Sequence, residues 1–217
     1  MIRLLVFASG RGTNARNIFA LAKEYPKQME VVGLVTENPT AGVLQYAKSE
    51  QISTMVVPLP TDASGSSRRS EHERQILKAI KHLQFDYICL AGYMRILTPQ
   101  FIERFPHPNW SVSKIINIHP ALLPSFRGMN AYQQAFDAGV KVSGVSVHFV
   151  DAGVDTGPII HQRTFPRLAT DTLESFTQRG LQQEYRAYRE MLMALATGTY
   201  TVVDEPFFLY IQMVGEQ

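Results

Sequence analysis

Short apolar runs, rich in β-branched residues, recur along the first half of the chain and alternate with stretches of helical periodicity. They predict strands over residues 4–8, 31–35, 55–57, 87–91 and 114–118. Nearly continuous apolar strands are typical of parallel strands buried on both faces, so the pattern predicts a doubly wound, mostly parallel α/β sheet. Ligands of such sheets bind at the carboxyl ends of the strands.

The second half of the chain has a different pattern. Residues 145–149 alternate between apolar and polar side chains, and residues 158–165 give a further extended run. This alternation predicts antiparallel or mixed strands in the C-terminal part.

Two further segments are predicted from caps and composition. One long helix is expected over residues 172–195, with Asp171 or Thr170 as its N-cap and Gly198 beyond its end. Residues 60–70 contain one Asp, one Gly and four Ser, which predicts a flexible loop.

Length and charge narrow the function class. With 217 residues, 45% of them hydrophobic and 18% charged, the chain fits a single globular domain. No apolar run is long enough to cross a bilayer, and no signal peptide precedes the first predicted strand. A net charge of +2 without a basic block argues against a nucleic-acid partner. The single cysteine, Cys89, excludes an internal disulfide and predicts a buried thiol in a cytoplasmic protein.

The first predicted strand runs into a glycine-bearing turn, SGRGTN at residues 9–14, and a helix pattern follows. Glycines at such a turn let the backbone approach an anion, and a helix N-terminus attracts phosphate. The turn has neither the Gly-Lys-Ser/Thr ending of a P-loop nor the spacing of the dinucleotide fingerprint. A plain tight turn capped by Thr13 or Asn14 is the alternative, but the position at the end of the first strand favours a phosphate site.

Asn117 and His119 lie two residues apart at the end of a predicted strand. Positions two apart in an extended chain share a face, so both side chains are predicted to point toward the ligand-binding edge. An amide donates a hydrogen bond to a developing oxyanion and an imidazole moves a proton near neutral pH, which suits acyl transfer. The alternative makes Asn117 a turn residue and His119 a structural histidine.

A second histidine, His148, precedes a glycine-bearing loop that contains two acids, Asp151 and Asp155. A carboxylate from such a loop holds the tautomer of an imidazole and raises its basicity, and both acids are candidates. The side chain of Asp151 is assigned to turn formation beside a glycine.

Two other chemistries are weighed and set aside. Four histidines suggest a metal site, but none has a closely paired spacing, so no metal is predicted; they are His107, His119, His148 and His161. Ser9 is not assigned as a hydrolase nucleophile, because the chain lacks the Gly-x-Ser-x-Gly motif.

Several motifs occur together in order and resemble those of the folate-dependent phosphoribosylglycinamide formyltransferases. They are SGRGTN at residues 9–14, LAGYMRIL at 90–97, NIHPALLPSFRG at 117–128, SVHFV at 146–150 and DTGP at 155–158. The likeness covers about residues 1–200, and joint occurrence is more specific than any single motif. It implies a Rossmann-like fold and transfer of a formyl group from 10-formyltetrahydrofolate to the amine of phosphoribosylglycinamide, in purine biosynthesis.

The resemblance also implies roles for particular residues within one domain, residues 1–217, whose halves are a nucleotide-substrate part (1–100) and a folate and catalytic part (101–217). The implied catalytic residues are Asn117, His119 and Asp155, where Asp155 raises the pKa of His119 and a protonated imidazole stabilises the oxyanion. The implied substrate contacts are Gly12, Thr13, Asn14 and Glu184, with Glu184 at the glycinamide end. The implied folate contacts are Arg69 in a mobile loop, Met94, Arg95, Ile96, Leu97, Asn117, Asp151 and Asp155. No metal, nucleic acid or membrane partner is implied, and the chain is expected to be a monomer or a homodimer.

Two segments depart from the family pattern. Residues 105–113 form a longer connection, predicted to be a surface excursion in which His107 and Trp110 pack locally. The apolar tail, residues 203–210, is predicted to pack on the body of the protein or on a second subunit.

Three other functions remain as alternatives at this point. A formyltetrahydrofolate deformylase resembles the same Asn, His and Asp motifs but usually carries an extra N-terminal domain. A methionyl-tRNA formyltransferase would need an appended RNA-binding domain and a more basic surface. A non-catalytic nucleotide-binding module would explain residues 10–14 but would leave Asn117, His119 and Asp155 without a role.

Overall fold

A computed structural model describes residues 1–61, 64–203 and 208–210, with the backbone alone described over 201–203 and 208–210. The strands are β1 Ile2–Phe7, β2 Met29–Thr36, β3 Thr54–Val56, β4 Tyr87–Leu90, β5 Ile115–His119, β6 Val142–Phe149, β7 Ile159–Pro166, β8 Thr201–Val203 and β9 Phe208–Tyr210. The helices are α1 Thr13–Glu24, α2 Gly42–Ser49, α3 Gly65–Ile80, α4 Pro99–Ile102, α5 Ala131–Asp137 and α6 Leu173–Thr197.

Seven strands form one sheet in the order β3-β2-β1-β4-β5-β6-β7. Strand β1 pairs in parallel with β2 and β4, and β2 pairs in parallel with β3, whereas β6 and β7 are antiparallel. The predicted α/β sheet, mostly parallel with an antiparallel end, is therefore confirmed. The five strands predicted in the first half agree with the structure to within two residues at each end, as expected for segments with a strong apolar pattern.

The chain divides into two compact units, unit 1 (Met1–Ile116) and unit 2 (Asn117–Gln217). The organisation as one domain stays a prediction. In unit 1, the apolar run that predicted the first strand is fully buried from Leu4 to Phe7, and Cys89 on β4 is also fully buried, as predicted. Burial of both strand faces explains why these segments read as continuous apolar runs.

Unit 2 is built on the β6–β7 hairpin and helix α6, which packs against both strands. The alternating pattern correctly predicted a strand at β6, but the polar positions do not face solvent, because Ser146 is 0% exposed and His148 2% exposed. Both are tied into hydrogen bonds instead. Ser146 donates to the carbonyl of Ala121 at 2.7 Å and accepts from the N–H of Leu123 at 2.9 Å, which fixes the loop that follows β5.

The prediction of a flexible loop over residues 60–70 is wrong from Gly65 onward, because α3 begins there. Two residues in the middle of α3, His72 and Glu73, hold the helix in place. His72 contacts the carbonyl of Val57 at 2.7 Å and Glu73 accepts from the N–H of Thr98 at 2.7 Å, and both side chains are buried. Tertiary contacts of this kind extend a helix into serine- and glycine-rich sequence that has little helical propensity of its own.

The long helix is confirmed, but neither proposed residue is its N-cap. Thr172 is the cap, since its hydroxyl accepts the N–H of Ser175 and the Ser175 hydroxyl accepts the N–H of Thr172. Asp171 instead pairs with Arg179 at 2.6 Å. Gly198 ends the helix in the left-handed conformation, as predicted.

The excursion over residues 105–113 is closed by a bridge between Pro106 and Ser113. His107 and Trp110 stack with ring centroids 3.8 Å apart, in line with the predicted local packing. In the tail, β8 and β9 pair as a hairpin. β9 lies against β7, which agrees with the prediction that the apolar tail packs on the body of the protein, and residues 204–207 lie outside the described residues. Among the described residues, no helix has the length and apolar character needed to cross a membrane.

Candidate active site

The glycine-bearing turn of unit 1 leads directly from β1 into α1. Gly12 is the N-cap, with φ 71°, and a Cβ at this position would lie 2.3 Å from Cγ2 of Val43. Both the backbone conformation and the close approach therefore require glycine. No side chain caps the helix, which contradicts the alternative of a turn capped by Thr13 or Asn14. Backbone N–H groups at an N-terminus without a side-chain cap suit an anion.

A buried carboxylate, which the sequence analysis missed, holds this turn. Glu37 follows β2, and its side chain is 4% exposed. Its Oε2 accepts the Ser9 hydroxyl at 2.9 Å and its Oε1 accepts Nε of Arg95 at 3.1 Å. The Ser9 hydroxyl oxygen in turn accepts the N–H of Met94 at 2.8 Å. Residues that follow β1, β2 and β4 are thereby joined at the carboxyl edge of the sheet.

The segment expected to line a folate pocket presents apolar side chains to solvent. Met94 is 70% exposed and Ile96 is 56% exposed, whereas Leu97 is buried. The N–H of Met94 is already used by Ser9. Arg69 is exposed within α3 rather than in a loop, so the expected mobile loop is corrected at this position.

In unit 2, Asn117 and His119 both approach Asp155, which agrees with the prediction that the two β5 side chains share a face. Nδ2 of Asn117 donates to Oδ1 of Asp155 at 3.5 Å and lies 3.2 Å from Nε2 of His148. Nδ1 of His148 lies 2.8 Å from the carbonyl oxygen of Phe149, which only accepts, so Nδ1 carries the proton. Nε2 of His148 also lies 3.5 Å from Oδ1 of Asp155, so this ring nitrogen faces both the amide and the carboxylate.

His119 is held between two acceptors. Nε2 lies 2.8 Å from the carbonyl oxygen of Phe126, and Nδ1 lies 3.2 Å from Oδ2 of Asp155. The carbonyl requires a proton on Nε2, so the contact with Asp155 becomes attractive when Nδ1 is protonated too. The N–H of Gly128 also donates to Oδ2 of Asp155, at 2.9 Å. Asp155 has φ 51°, a conformation that Asp tolerates better than most residues but that is uncommon outside glycine.

The ionisation of this pair differs from the prediction. Burial lowers the pKa of His119 below its ordinary value, and the charge of Asp155 raises the pKa but does not outweigh burial. For Asp155 burial acts to raise the pKa, but the contacts with His148, Gly128 and His119 together lower it. The charge of Asp155 thus raises the pKa of His119, as expected, but burial outweighs it and the net shift is downward. A weakly held proton suits a residue that accepts a proton and releases it again.

The two other acids that the sequence analysis assigned to the site, Asp151 and Glu184, have different surroundings. Oδ1 of Asp151 accepts the N–H of Gly153 at 3.1 Å and the hydroxyl of Thr156 at 2.6 Å, which matches the predicted role in a turn. Glu184 on α6 is 5% exposed and accepts the hydroxyl of Tyr132 at 2.6 Å.

The sequence analysis missed the groups whose partners are far away along the chain and the groups that belong to the backbone. Glu37 meets Ser9 and Arg95 at separations of 28 and 58 residues, which no local pattern reveals. The N–H of Gly128 and the carbonyl of Phe126 are backbone groups without a sequence signature. Among the residues that the structure describes, no cluster of three or more His, Cys, Asp or Glu could hold a metal ion.

The fold and the Asn, His and Asp cluster together define the class of protein. The profile of the family described as formyl transferase matches residues 2–192, and the chain belongs to this family. It is 36% identical to the phosphoribosylglycinamide formyltransferase of Bacillus subtilis, over 90% of this chain and 95% of that protein. The crystal structure of glycinamide ribonucleotide transformylase 1 from Geobacillus kaustophilus is similar with a TM-score of 0.80 and 40% identity, over 90% of this chain and 99% of that one.

Two other similar proteins give weaker support for a particular activity. The chain is 35% identical to the trifunctional purine biosynthetic protein adenosine-3 of Gallus gallus, over 93% of its own length but only 19% of that protein. A formyltetrahydrofolate deformylase from Pseudomonas syringae has a TM-score of 0.80 at 24% identity, covering 96% of this chain and 66% of that one, and shows the shared fold alone.

Proposed function

We propose that this protein transfers the formyl group of 10-formyltetrahydrofolate to the primary amine of phosphoribosylglycinamide, giving phosphoribosyl-N-formylglycinamide. The observation that carries the proposal is the cluster of Asn117, His119 and Asp155, within 3.2 to 3.5 Å of one another through Asp155. An amide donor, a histidine with a weakly held proton and an ionised acid are the groups that acyl transfer to an amine requires.

The chemistry follows from these groups. The neutral amine attacks the formyl carbon, a carbon–nitrogen bond forms, and the carbonyl oxygen becomes an oxyanion that the Asn117 amide stabilises. Neutral His119 accepts a proton from the attacking nitrogen, directly or through water, and Asp155 stabilises the imidazolium. The intermediate collapses as the bond to N10 of the folate breaks, and the proton passes to that leaving nitrogen.

Binding is assigned mostly to groups outside the catalytic cluster, whereas Asn117 and Asp155 have both roles. Gly12, Thr13 and Asn14 bind the substrate phosphate, supported by the N-terminus of α1 without a side-chain cap. Glu184 contacts the glycinamide amine. The folate contacts are Arg69, Met94, Arg95, Ile96, Leu97, Asn117, Asp155 and the loop at Asp151. The exposed Met94 and Ile96 side chains support this assignment, and contact at Asp151 falls to the loop backbone because its carboxylate serves the turn.

The proposed partners are two small molecules. Three expectations stay predictions: that no metal is required, that the protein is cytoplasmic, and that it is a monomer or a homodimer. No observation favours the deformylase over the transferase, so it enters as an outcome of the test.

The test measures release of tetrahydrofolate from 10-formyltetrahydrofolate, with and without phosphoribosylglycinamide. The proposal predicts release only when the amine is present, with one formylated product formed for each folate released. Release without the amine would indicate a deformylase, and no release under either condition would indicate a binding module. Either of these results overturns the proposal.

A further inference from the structure

One buried hydrogen bond of unit 2 joins the start of α5 to the middle of α6. The hydroxyl of Tyr132 donates to Oε1 of Glu184 at 2.6 Å, across 52 residues of sequence. Glu184 is only 5% exposed, so its carboxylate depends on such donors. A hydrogen bond to a buried carboxylate is among the stronger ones in proteins, and it restricts the plane of the acid.

Helix α6 is shaped to receive this tyrosine. A Cβ at Gly180 would lie 2.3 Å from Cε1 of Tyr132 and 2.5 Å from its hydroxyl oxygen. Phe176, one turn before Gly180, meets the Tyr132 ring edge to face with centroids 6.2 Å apart. Phe176, Gly180 and Glu184 follow at intervals of four residues and so share one face of the helix. Glycine weakens a helix interior, and here it makes room for the phenol.

The phenol keeps its proton in this site. Burial and the neighbouring charge of Glu184 raise the pKa of Tyr132 well above its usual value. Tyr132 therefore keeps its proton, and remains a hydrogen-bond donor, near neutral pH.

The same short segment also holds the acid of the catalytic cluster. The N–H of Gly128 donates to Oδ2 of Asp155 at 2.9 Å, four residues before Tyr132. One end of residues 128–132 is thus fixed on Asp155 and the other on Glu184. Since Asn130 within it adopts φ 58°, the segment has a defined turn rather than an extended path.

We propose that Tyr132 is a positioning residue for the substrate amine. Its hydroxyl orients the Glu184 carboxylate, and Gly180 leaves room for the ring. Residues 128–132 hold Glu184 at a fixed position relative to Asp155. The inference rests on the proposed function, in which Glu184 contacts the glycinamide amine.

The first test is Tyr132→Phe, which removes the hydroxyl and keeps the ring. The KM for phosphoribosylglycinamide should rise about tenfold, as expected for a lost hydrogen bond to a charged group. The KM for 10-formyltetrahydrofolate should not change, and kcat should stay within about twofold, because the groups of the catalytic cluster are untouched. Tyr46→Phe, which removes a phenol from α2 in unit 1, is the matched control and should leave all three constants unchanged.

The second test is Gly180→Ala, which breaks the same hydrogen bond by displacing the ring and removes no polar group. It should give the same selective rise in KM, with the folded fraction checked by thermal unfolding. Since both changes act on one contact, the double variant should be no worse in KM than the poorer single variant. Additive effects, or equal rises in both KM values together with a lower melting temperature, would show a purely structural role and overturn the inference.

Glu184→Gln separates this inference from the function on which it rests. If the wild-type protein shows no formyl transfer, the proposed function itself is wrong. An unchanged substrate KM in Glu184→Gln would remove Glu184 from the amine site, and Tyr132 with it. A raised KM in Glu184→Gln with a wild-type KM in Tyr132→Phe would overturn the role of Tyr132 alone.

Discussion

The polar clusters of the two units differ in how firmly their charges are held. In unit 1, the buried carboxylate of Glu37 is bound by a hydroxyl and a guanidinium, at 2.9 and 3.1 Å. In unit 2, Nδ1 of His119 faces Asp155 at 3.2 Å while burial lowers the pKa of the imidazole. The first arrangement is a fixed ion pair, and the second gives up its proton readily. We infer from this difference that unit 1 contributes binding geometry, whereas unit 2 contributes the chemistry together with part of the binding.

The largest effect is expected from Asn117→Ala and His119→Ala. Loss of an oxyanion donor or of the proton carrier should lower kcat by about 10²- to 10³-fold, with little change in the KM for phosphoribosylglycinamide. Steady-state kinetics measure this loss, and circular dichroism checks the fold. Asn109→Ala, in the excursion over residues 105–113, is the control and should keep the wild-type rate. A wild-type kcat in either variant would remove that residue from the mechanism.

An intermediate effect is expected from Glu37→Ala. Ser9 and Arg95 both lose their partner, so the turn before α1 and the segment after β4 are released together. The KM values for both substrates should rise about tenfold, the cost of hydrogen bonds to one charged group, while kcat changes little.

Glu30→Ala is the matched control for Glu37→Ala. It removes an acid within β2, which pairs with Arg3 at 2.7 Å while both side chains are more than one third exposed. A surface pair of this kind contributes little, so both KM values should be unchanged. If Glu37→Ala lowers kcat and spares both KM values, the assignment of unit 1 to binding is wrong.

A shift in titration is expected from Asp155→Asn, in addition to the loss of turnover that follows from removing a catalytic acid. The charge of Asp155 raises the pKa of His119, so its removal should lower that pKa further below the ordinary value of histidine. The neutral form of His119 would then persist to lower pH. Titration of the imidazole C–H signals by NMR, assigned with His119→Gln, measures the change. A higher pKa in Asp155→Asn would contradict the electrostatic account.

The smallest effect on activity is expected from Thr172→Ala, which removes the N-cap of α6. Stability should fall by about 1 kcal/mol, a typical cost for a lost N-cap side chain, with kinetic constants unchanged. Chemical denaturation measures the difference. Thr170→Ala is the control, because Thr170 is exposed and is not the cap. Equal losses in the two variants would contradict the assigned cap.

The sheet and the catalytic pair could be predicted from sequence because their signals are local. Strands β1 and β4 are apolar throughout, and Asn117 and His119 are two residues apart on β5, which places them on one face. The glycine-bearing turn at residues 9–14 was likewise marked by its place between a strand and a helix, whereas the left-handed conformation of Gly12 came from the structure.

The rest depended on contacts that sequence patterns do not carry. Helix α3 begins within serine-rich sequence because His72 and Glu73 are fixed by distant partners, Val57 and Thr98. The pKa of His119 follows from the balance between burial and the charge of Asp155, which only a structure provides.

The division of labour is tested most directly by single-turnover formyl transfer with both substrates saturating. Under these conditions weakened binding no longer limits the rate, so Glu37→Ala should approach the wild-type rate while Asn117→Ala remains at least about 10²-fold slower. A slow Glu37→Ala enzyme together with a fast Asn117→Ala enzyme would contradict the account.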